Sequence, residues 1–176
     1  MAKKEGLKVI AITNCVGSTV SREADDVIYT LAGPEIAVAS TKAYTTQVLC
    51  LLLLAIKAGK LRNKLSDNEV TKLLNELEEI PEKIEQILNE QEIIQKFASQ
   101  QFNKEKVFFI GRQFDSATSL ESALKLKEVS YMHSEAFAAG ELKHGPIALI
   151  DDKTLVVAIA SEPELYEKIG SNMVEI

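Results

Sequence analysis

Four short apolar runs, separated by helical patterns, are the feature that most limits what this chain can fold into. They occupy residues 8–13 (KVIAIT), 27–32 (VIYTLA), 106–111 (KVFFIG) and 154–160 (TLVVAIA). Because they are continuous rather than alternating in polarity, they are typical of strands covered on both faces. Strands that alternate with helices predict an α/β fold with a parallel sheet.

Composition excludes several classes of partner. The 176 residues carry a net charge of −6, which argues against nucleic acid or an anionic membrane surface as the main partner. The most apolar run, residues 48–56, is far shorter than the roughly 20 residues that span a bilayer. It predicts a helix buried inside protein, and no membrane association.

The two cysteines give no sign of a disulfide or a metal site. Cys15 and Cys50 lie in apolar surroundings and form no CxxC pair. With His133 and His144 they make no zinc spacing, so we expect no metal. Buried free thiols and a reducing, cytoplasmic compartment are the expectation.

Helical patterns fill the segments between the apolar runs. The first predicted helix begins at Ser40 or Thr41 as N-cap and ends near Gly59. Apolar residues recur at helical spacing over residues 67–100, where Pro81 predicts two helices or one kinked helix. A connector between two α/β halves is favoured there over a coiled-coil partner helix.

Two further helices are predicted near the C-terminus. One begins at Asp115 or Ser116, runs to His133 at its end, and has an apolar stripe formed by Leu120, Ala123, Leu124 and Met132. The other follows the last apolar run, within residues 162–176.

Three charged residues share one face of the predicted helix after residue 115. Glu121, Lys125 and Glu128 are spaced i, i+4 and i+7. One interpretation is a solvated face with an ion pair worth about 0.2–0.5 kcal/mol. The other is a carboxylate general base with a lysine beside it. Spacing alone leaves both open.

His144 and a group of hydroxyl residues are further candidates. His144 precedes Gly145 and Pro146, which predict a loop, and an imidazole there can transfer protons or be an ordinary turn residue. Ser40, Thr41, Thr45 and Thr46 near a helix N-terminus could bind a phosphate or only cap the helix. No GxGxxG, P-loop, HExxH or GxSxG pattern is present, so we expect no cofactor.

Two long segments carry a resemblance to a known family. Residues 17–47 and 121–151 closely resemble the isomerase part of the glutamine–fructose-6-phosphate aminotransferases, and the similarity covers essentially the whole chain. The resemblance implies two sugar-isomerase (SIS) subdomains, each a three-layer αβα unit around a parallel sheet. It identifies residues 1–60 with the C-terminal half of the first subdomain. Residues 61–100 are then a helical connector, and residues 101–176 the N-terminal part of the second subdomain.

The same resemblance implies a chemistry and roles for residues. The family converts fructose 6-phosphate and ammonia from glutamine into glucosamine 6-phosphate. Glu128 is implied as the base that moves a proton between neighbouring carbons, with Lys125 beside it. His144 is implied to open the sugar ring in the neighbouring subunit of a homodimer. Val38 and Ser40 are implied to line the sugar-phosphate pocket.

The chain also departs from the family pattern. The main phosphate-binding loop, the lysine that forms a Schiff base with the sugar, and the glutaminase domain are not among these residues. We therefore expect an internal fragment with little or no synthase activity alone. An SIS-type amino-sugar-phosphate deaminase or deglycase, and a noncatalytic sugar-phosphate-binding regulator, are the alternatives.

Overall fold

The computed structural model describes residues 2–176, and Met1 lies outside the described residues. The chain divides into two compact units, Met1–Glu90 and Gln91–Ile176. Residues 2–176 contain five strands: β1 Ile10–Thr13, β2 Asp26–Tyr29, β3 Lys106–Gly111, β4 His133–Ala138 and β5 Thr154–Ala158. They also contain seven α-helices: α1 Thr19–Glu23, α2 Lys42–Leu61, α3 Asp67–Glu78, α4 Ile80–Leu88, α5 Gln91–Gln100, α6 Phe114–Ser130 and α7 Tyr166–Val174.

In the first unit β1 and β2 pair in parallel, with Ile10 opposite Asp26. The connection between them contains α1, which the sequence did not predict because five residues are too few to show a helical period. Strand β2 ends earlier than predicted. The amide oxygen of Asn14 accepts hydrogen bonds from the Thr30 hydroxyl and from the Ala32 N–H, which turns residues 30–32 out of the strand.

Helix α2 has nearly the predicted bounds but is less buried than predicted. It extends beyond the apolar run at both ends, and none of its residues is buried. Leu51, Leu52 and Leu53 are 56%, 44% and 42% exposed. The prediction of a buried helix is wrong, because α3 and β1 cover only part of its surface within this unit. By length and composition alone, α2 is long and apolar enough to cross a membrane.

Residues 67–100 form three helices rather than the two helices or one kinked helix predicted. Pro81 lies in the first turn of α4, where a missing N–H costs nothing, so it starts a helix instead of kinking one. A second break at residues 89–90 was not predicted. Helix α3 begins with a capping box, in which the Ser66 hydroxyl accepts from the Glu69 N–H and the Glu69 carboxylate accepts from the Ser66 N–H.

The second unit is built on a parallel sheet with the order β4–β3–β5. The central strand β3 has the bounds predicted for the third apolar run, and Phe108 and Ile110 are almost fully buried in it. They form a core with Ala139, Leu142 and Ile169. Phe137 packs edge-on against Phe108 with ring centroids 5.2 Å apart.

Strand β4 is absent from the sequence prediction. Its residues, HSEAFA, are too polar to stand out, and His133 was assigned to the end of the preceding helix. Helix α6 instead ends at Ser130, because Tyr131 adopts a left-handed conformation with φ +60°. His133 therefore opens a strand, with its Nε2 3.2 Å from a Glu135 carboxylate oxygen.

The start of α6 also differs from the prediction. Neither Asp115 nor Ser116 is the N-cap, because α6 already begins at Phe114. Asp115 is buried, and its carboxylate accepts hydrogen bonds from the Ser161 N–H at 2.8 Å and the Ser161 hydroxyl at 2.6 Å. Of the predicted apolar stripe, Ala123 is buried, whereas Leu120 and Leu124 are exposed. Gly111 is required before α6, because a Cβ there would lie 2.4 Å from the Asp115 carbonyl.

Both cysteines are free, as predicted. The prediction that they are buried is wrong, since Cys15 is exposed and Cys50 is half-buried. Cys15 lies just beyond the end of β1, outside the sheet, where nothing covers its side chain.

Replacing Ser66 with alanine should destabilise the first unit. The substitution removes an N-cap, which costs about 1 kcal/mol in the free energy of unfolding. Thr71→Ala is the matched control, because the Thr71 hydroxyl only donates back to the Asp67 carbonyl within α3. We expect that control to be neutral or slightly stabilising in urea unfolding. Equal stability of Ser66→Ala and the parent chain would contradict the capping role.

The capping box should also make α3 sensitive to acid. Hydrogen bonds from Ser66 hold the pKa of Glu69 below its ordinary 4.5. A lowered folded-state pKa stabilises α3 above pH 4.5, and the contribution is lost as pH falls through the folded value. The stability difference between Ser66→Ala and the parent chain should therefore shrink as the pH falls below 4.5 and through the lowered folded-state pKa, in pH-dependent urea unfolding. A difference that stays constant down to pH 2 would contradict this linkage.

Candidate functional site

Three charged side chains meet on one face of α6, as the spacing predicted. Lys125 Nζ lies 2.5 Å from a Glu128 carboxylate oxygen and 3.6 Å from one of Glu121. Side chains three and four positions apart are neighbours on a helix, so the array follows from local geometry. Each of the three side chains is only about a quarter exposed. The group is therefore partly shielded from water, unlike an ordinary solvated helix face.

The electrostatics of this group favour a charged lysine. The hydrogen bond to Glu128 is the largest cause of a raised pKa for Lys125, above the ordinary 10.5, and desolvation opposes it. Lys125 therefore stays protonated at neutral pH and places a positive charge beside the Glu128 carboxylate. A carboxylate held on a rigid helix can take a proton from one atom and return it to another.

His144 lies at the end of a 3₁₀ helix rather than in the loop that was predicted. Two 3₁₀ helices, Ala139–His144 and Pro146–Leu149, flank Gly145, whose φ of +152° suits glycine. The loop prediction is wrong, because a Gly-Pro pair also permits two short helices in succession. Buried Leu142 anchors the segment in the core of the second unit, while the His144 side chain is exposed.

No side-chain hydrogen bond or ion pair links His144 to another residue in the range 2–176. The imidazole is therefore outside the Lys125–Glu128 hydrogen-bonded group. Within the same range, no three His, Cys, Asp or Glu side chains are placed to hold a metal ion.

Val38 and Ser40 lie in the first unit, on the loop of residues 30–41 that follows β2. The Val38 side chain is 95% exposed and Ser40 is half-buried. The beginning of this loop is held by Asn14, whose Nδ2 donates to the Gly33 carbonyl at 2.6 Å. Because ligands of parallel sheets bind beyond the carboxyl ends of the strands, the loop has the right position for a binding segment.

The far end of the loop is held by Glu35 and Lys42. The Glu35 carboxylate accepts hydrogen bonds from the Ser40 hydroxyl and, at 3.1 Å, from the Ala37 N–H. Lys42 Nζ donates to the Pro34 carbonyl at 2.6 Å. Thr41 occupies the N-cap position of α2 without capping it, and the Ser40 hydroxyl accepts the Ala43 N–H instead.

Sequence reasoning missed Asn14 and Glu35. Both are polar residues beside loops, and their partners are set by loop conformation rather than by helix or strand spacing. A Pro-Glu pair five residues before a serine is the only local signal that the sequence offers for Glu35.

The chain belongs to the SIS domain family, whose model matches residues 1–57 and 102–173. Among curated proteins, it is 53% identical over 175 residues to the glutamine–fructose-6-phosphate aminotransferase (isomerizing) of Caldanaerobacter subterraneus. That alignment covers 99% of this chain and 29% of the relative. The predicted family resemblance is confirmed, and the chain spans less than a third of the length of such relatives.

Solved structures agree with the fold class. The C-terminal domain of glucosamine-fructose-6-phosphate aminotransferase from Francisella tularensis matches with a TM-score of 0.93 and 40% identity, over 99% of this chain and 49% of that domain. Glucosamine-6-phosphate deaminase from Thermotoga maritima matches with a TM-score of 0.73 and 27% identity, over 98% of this chain and 51% of that protein. The predicted α/β fold with SIS-type αβα layering is confirmed.

Removing the carboxylate of Glu128 should lower the pKa of Lys125 toward 10.5, because the Glu128 hydrogen bond is the main cause of its elevation. Alkaline titration of lysine side-chain NMR signals, in Glu128→Gln and in the parent chain, measures this. Glu121→Gln is the matched control and should cause a smaller fall, since Glu121 is more distant. An unchanged Lys125 titration in Glu128→Gln would show that the pair does not form in solution.

Proposed function

We propose that this chain carries proton-transfer residues of a glutamine–fructose-6-phosphate aminotransferase. The observation that carries the proposal is the close Lys125–Glu128 pair, partly shielded from water, in a chain 53% identical to such an enzyme. The substrates are then fructose 6-phosphate and ammonia released from glutamine, and the product is glucosamine 6-phosphate.

Glu128 is the base in this proposal. The ketose–amine adduct must lose a proton from one sugar carbon and gain one at its neighbour to become the aldose. A single carboxylate that takes the proton and returns it performs both steps without net change to itself. Lys125 holds the Glu128 carboxylate in one orientation and balances its charge, so that the base stays fixed beside the substrate.

His144 is proposed to open the sugar ring in the active site of a neighbouring subunit. Its exposed position and its lack of an intramolecular side-chain partner among residues 2–176 support a role outside its own subunit. The proposal implies a homodimer, located in the cytoplasm.

Val38 and Ser40 are proposed to line the sugar-phosphate pocket. The proposed organisation is residues 1–60 and 101–176 as parts of two SIS subdomains joined by a connector at 61–100. The phosphate-binding loop and Schiff-base lysine implied by the family are not among these 176 residues. The chain by itself is therefore expected to bind substrate weakly and to make no glucosamine 6-phosphate.

A second candidate is an SIS-type deaminase or deglycase acting on amino-sugar phosphates. The match to a glucosamine-6-phosphate deaminase, at 27% identity, favours it over other reactions. It predicts release of ammonia from glucosamine 6-phosphate with no requirement for glutamine. A noncatalytic regulator would not require the Lys125–Glu128 pair, which argues against that alternative.

The role of Glu128 can be tested in a chimera, in which this chain replaces the matching 175 residues of the Caldanaerobacter enzyme. Glu128→Gln should lower kcat by about 100- to 10,000-fold, the usual contribution of a general base. The Kd for fructose 6-phosphate should stay within about threefold, because the amide keeps the shape of the side chain.

Glu167→Gln, an exposed change on α7, is the control and should leave turnover unchanged. Unchanged turnover in Glu128→Gln would refute the proposed base. Ammonia release without glutamine would favour the deaminase, and synthesis by the isolated chain would refute the expected inactivity.

A further inference from the structure

We infer that Glu35 is a positioning residue that makes the Ser40 hydroxyl an acceptor for a sugar hydroxyl rather than a donor to phosphate. The inference rests on the proposed function, in which Ser40 lines the sugar-phosphate pocket. In this inference Ser40 recognises the sugar. Glu35 accepts the Ser40 proton, so that the Ser40 oxygen can only accept a hydrogen bond from the ligand.

The hydrogen bonds of Ser40 decide what a ligand can receive from it. A serine hydroxyl has one proton to donate and two lone pairs that accept. The proton of Ser40 is directed to the Glu35 carboxylate. One lone pair accepts the Ala43 N–H at 3.3 Å. What remains for a ligand is one lone pair on the hydroxyl oxygen of this half-buried residue, and a lone pair can only accept a hydrogen bond.

Glu35 is held so that this direction cannot easily reverse. One carboxylate oxygen accepts from Ser40 and the other from the Ala37 N–H, so both oxygens are engaged. These hydrogen bonds, with that of Ser40 the largest cause, keep the pKa of Glu35 below its ordinary 4.5. An ionised carboxylate has no proton to give, so the hydroxyl must be the donor.

The hydroxyls of Thr45 and Thr46 also have no proton free to donate to a phosphate. Thr45 donates to the Thr41 carbonyl at 3.2 Å and Thr46 to the Lys42 carbonyl at 2.8 Å. Along with Ser40 and Thr41, these residues made the start of α2 a candidate phosphate site in the sequence. With their protons already committed, the Thr45 and Thr46 hydroxyls offer little to a phosphate, which needs donors. A sugar carries hydroxyl donors that fit the free lone pair of Ser40.

The test is a titration of the 176-residue chain, followed by amide NMR, with glucosamine 6-phosphate and separately with inorganic phosphate at up to tens of millimolar. Glu35→Gln should weaken binding of glucosamine 6-phosphate about three- to tenfold, the effect of one hydrogen bond. The glutamine amide can donate to Ser40 and occupy the lone pair that the sugar needs. Binding of inorganic phosphate should not change.

Ser40→Ala should produce a similar loss, and the double variant Glu35→Gln/Ser40→Ala should lose no more than either single variant. Such non-additivity is expected only if the two residues act through the same hydrogen bond. Glu23→Gln, an exposed change on α1, is the control and should bind both ligands as the parent does.

Three outcomes would overturn the inference. If the parent chain binds glucosamine 6-phosphate and Glu35→Gln binds it equally well, Glu35 does not position Ser40, and the proposed function is untouched. If Glu35→Gln weakens both ligands alike, Glu35 only supports the loop. If the parent chain gives no response to glucosamine 6-phosphate, Ser40 does not bind the sugar in this chain and the inference is refuted, whereas the proposed function is tested separately in the chimera.

Discussion

The second unit depends on the burial of β3 between two parallel neighbours. Parallel strands cannot be joined by a tight turn, so each connection must leave one end of the sheet and return to the other. This constraint places α6 directly after β3, and the segment 139–144 directly after β4. Gly111 makes the first transition possible, because any side chain there would collide with the backbone of α6. His144 therefore lies in the segment directly after β4, whereas the Lys125–Glu128 pair lies in the last turns of α6, just before β4 begins.

Polar side chains fix the conformation of the irregular connections between the strands. Backbone groups in a loop have no ladder to satisfy them, so side chains must provide partners. Asn14 and Glu35 do this for the loop after β2, and Asp115 does it for the segment after β5 through Ser161. In each case an acceptor side chain gathers N–H and hydroxyl donors, which holds the loop in one conformation. The candidate binding residues Val38 and Ser40 owe their placement to two of these anchors.

The fold alone does not identify the reaction of this chain. Solved structures that match it closely include an aminotransferase domain and a deaminase, so the SIS architecture hosts different reactions on amino-sugar phosphates. The discriminating features are local: a lysine–glutamate pair on α6, an exposed histidine, and a serine whose proton is committed. Of these features, the lysine–glutamate pair supports the proposed proton transfer over simple ligand binding, because a binding pocket has no need of a paired base.

The sequence by itself determined the features that depend on local spacing. The continuous apolar run 106–111 gave β3 its bounds, and the i, i+4, i+7 spacing brought Glu121, Lys125 and Glu128 to one face. It did not reveal β4, because six residues of mixed polarity look no different from a helix end. Only the tertiary structure decided that α2 is largely uncovered and that Ser40 donates to Glu35. Burial depends on what packs against a helix, and loop hydrogen bonds depend on backbone angles that no periodic pattern encodes.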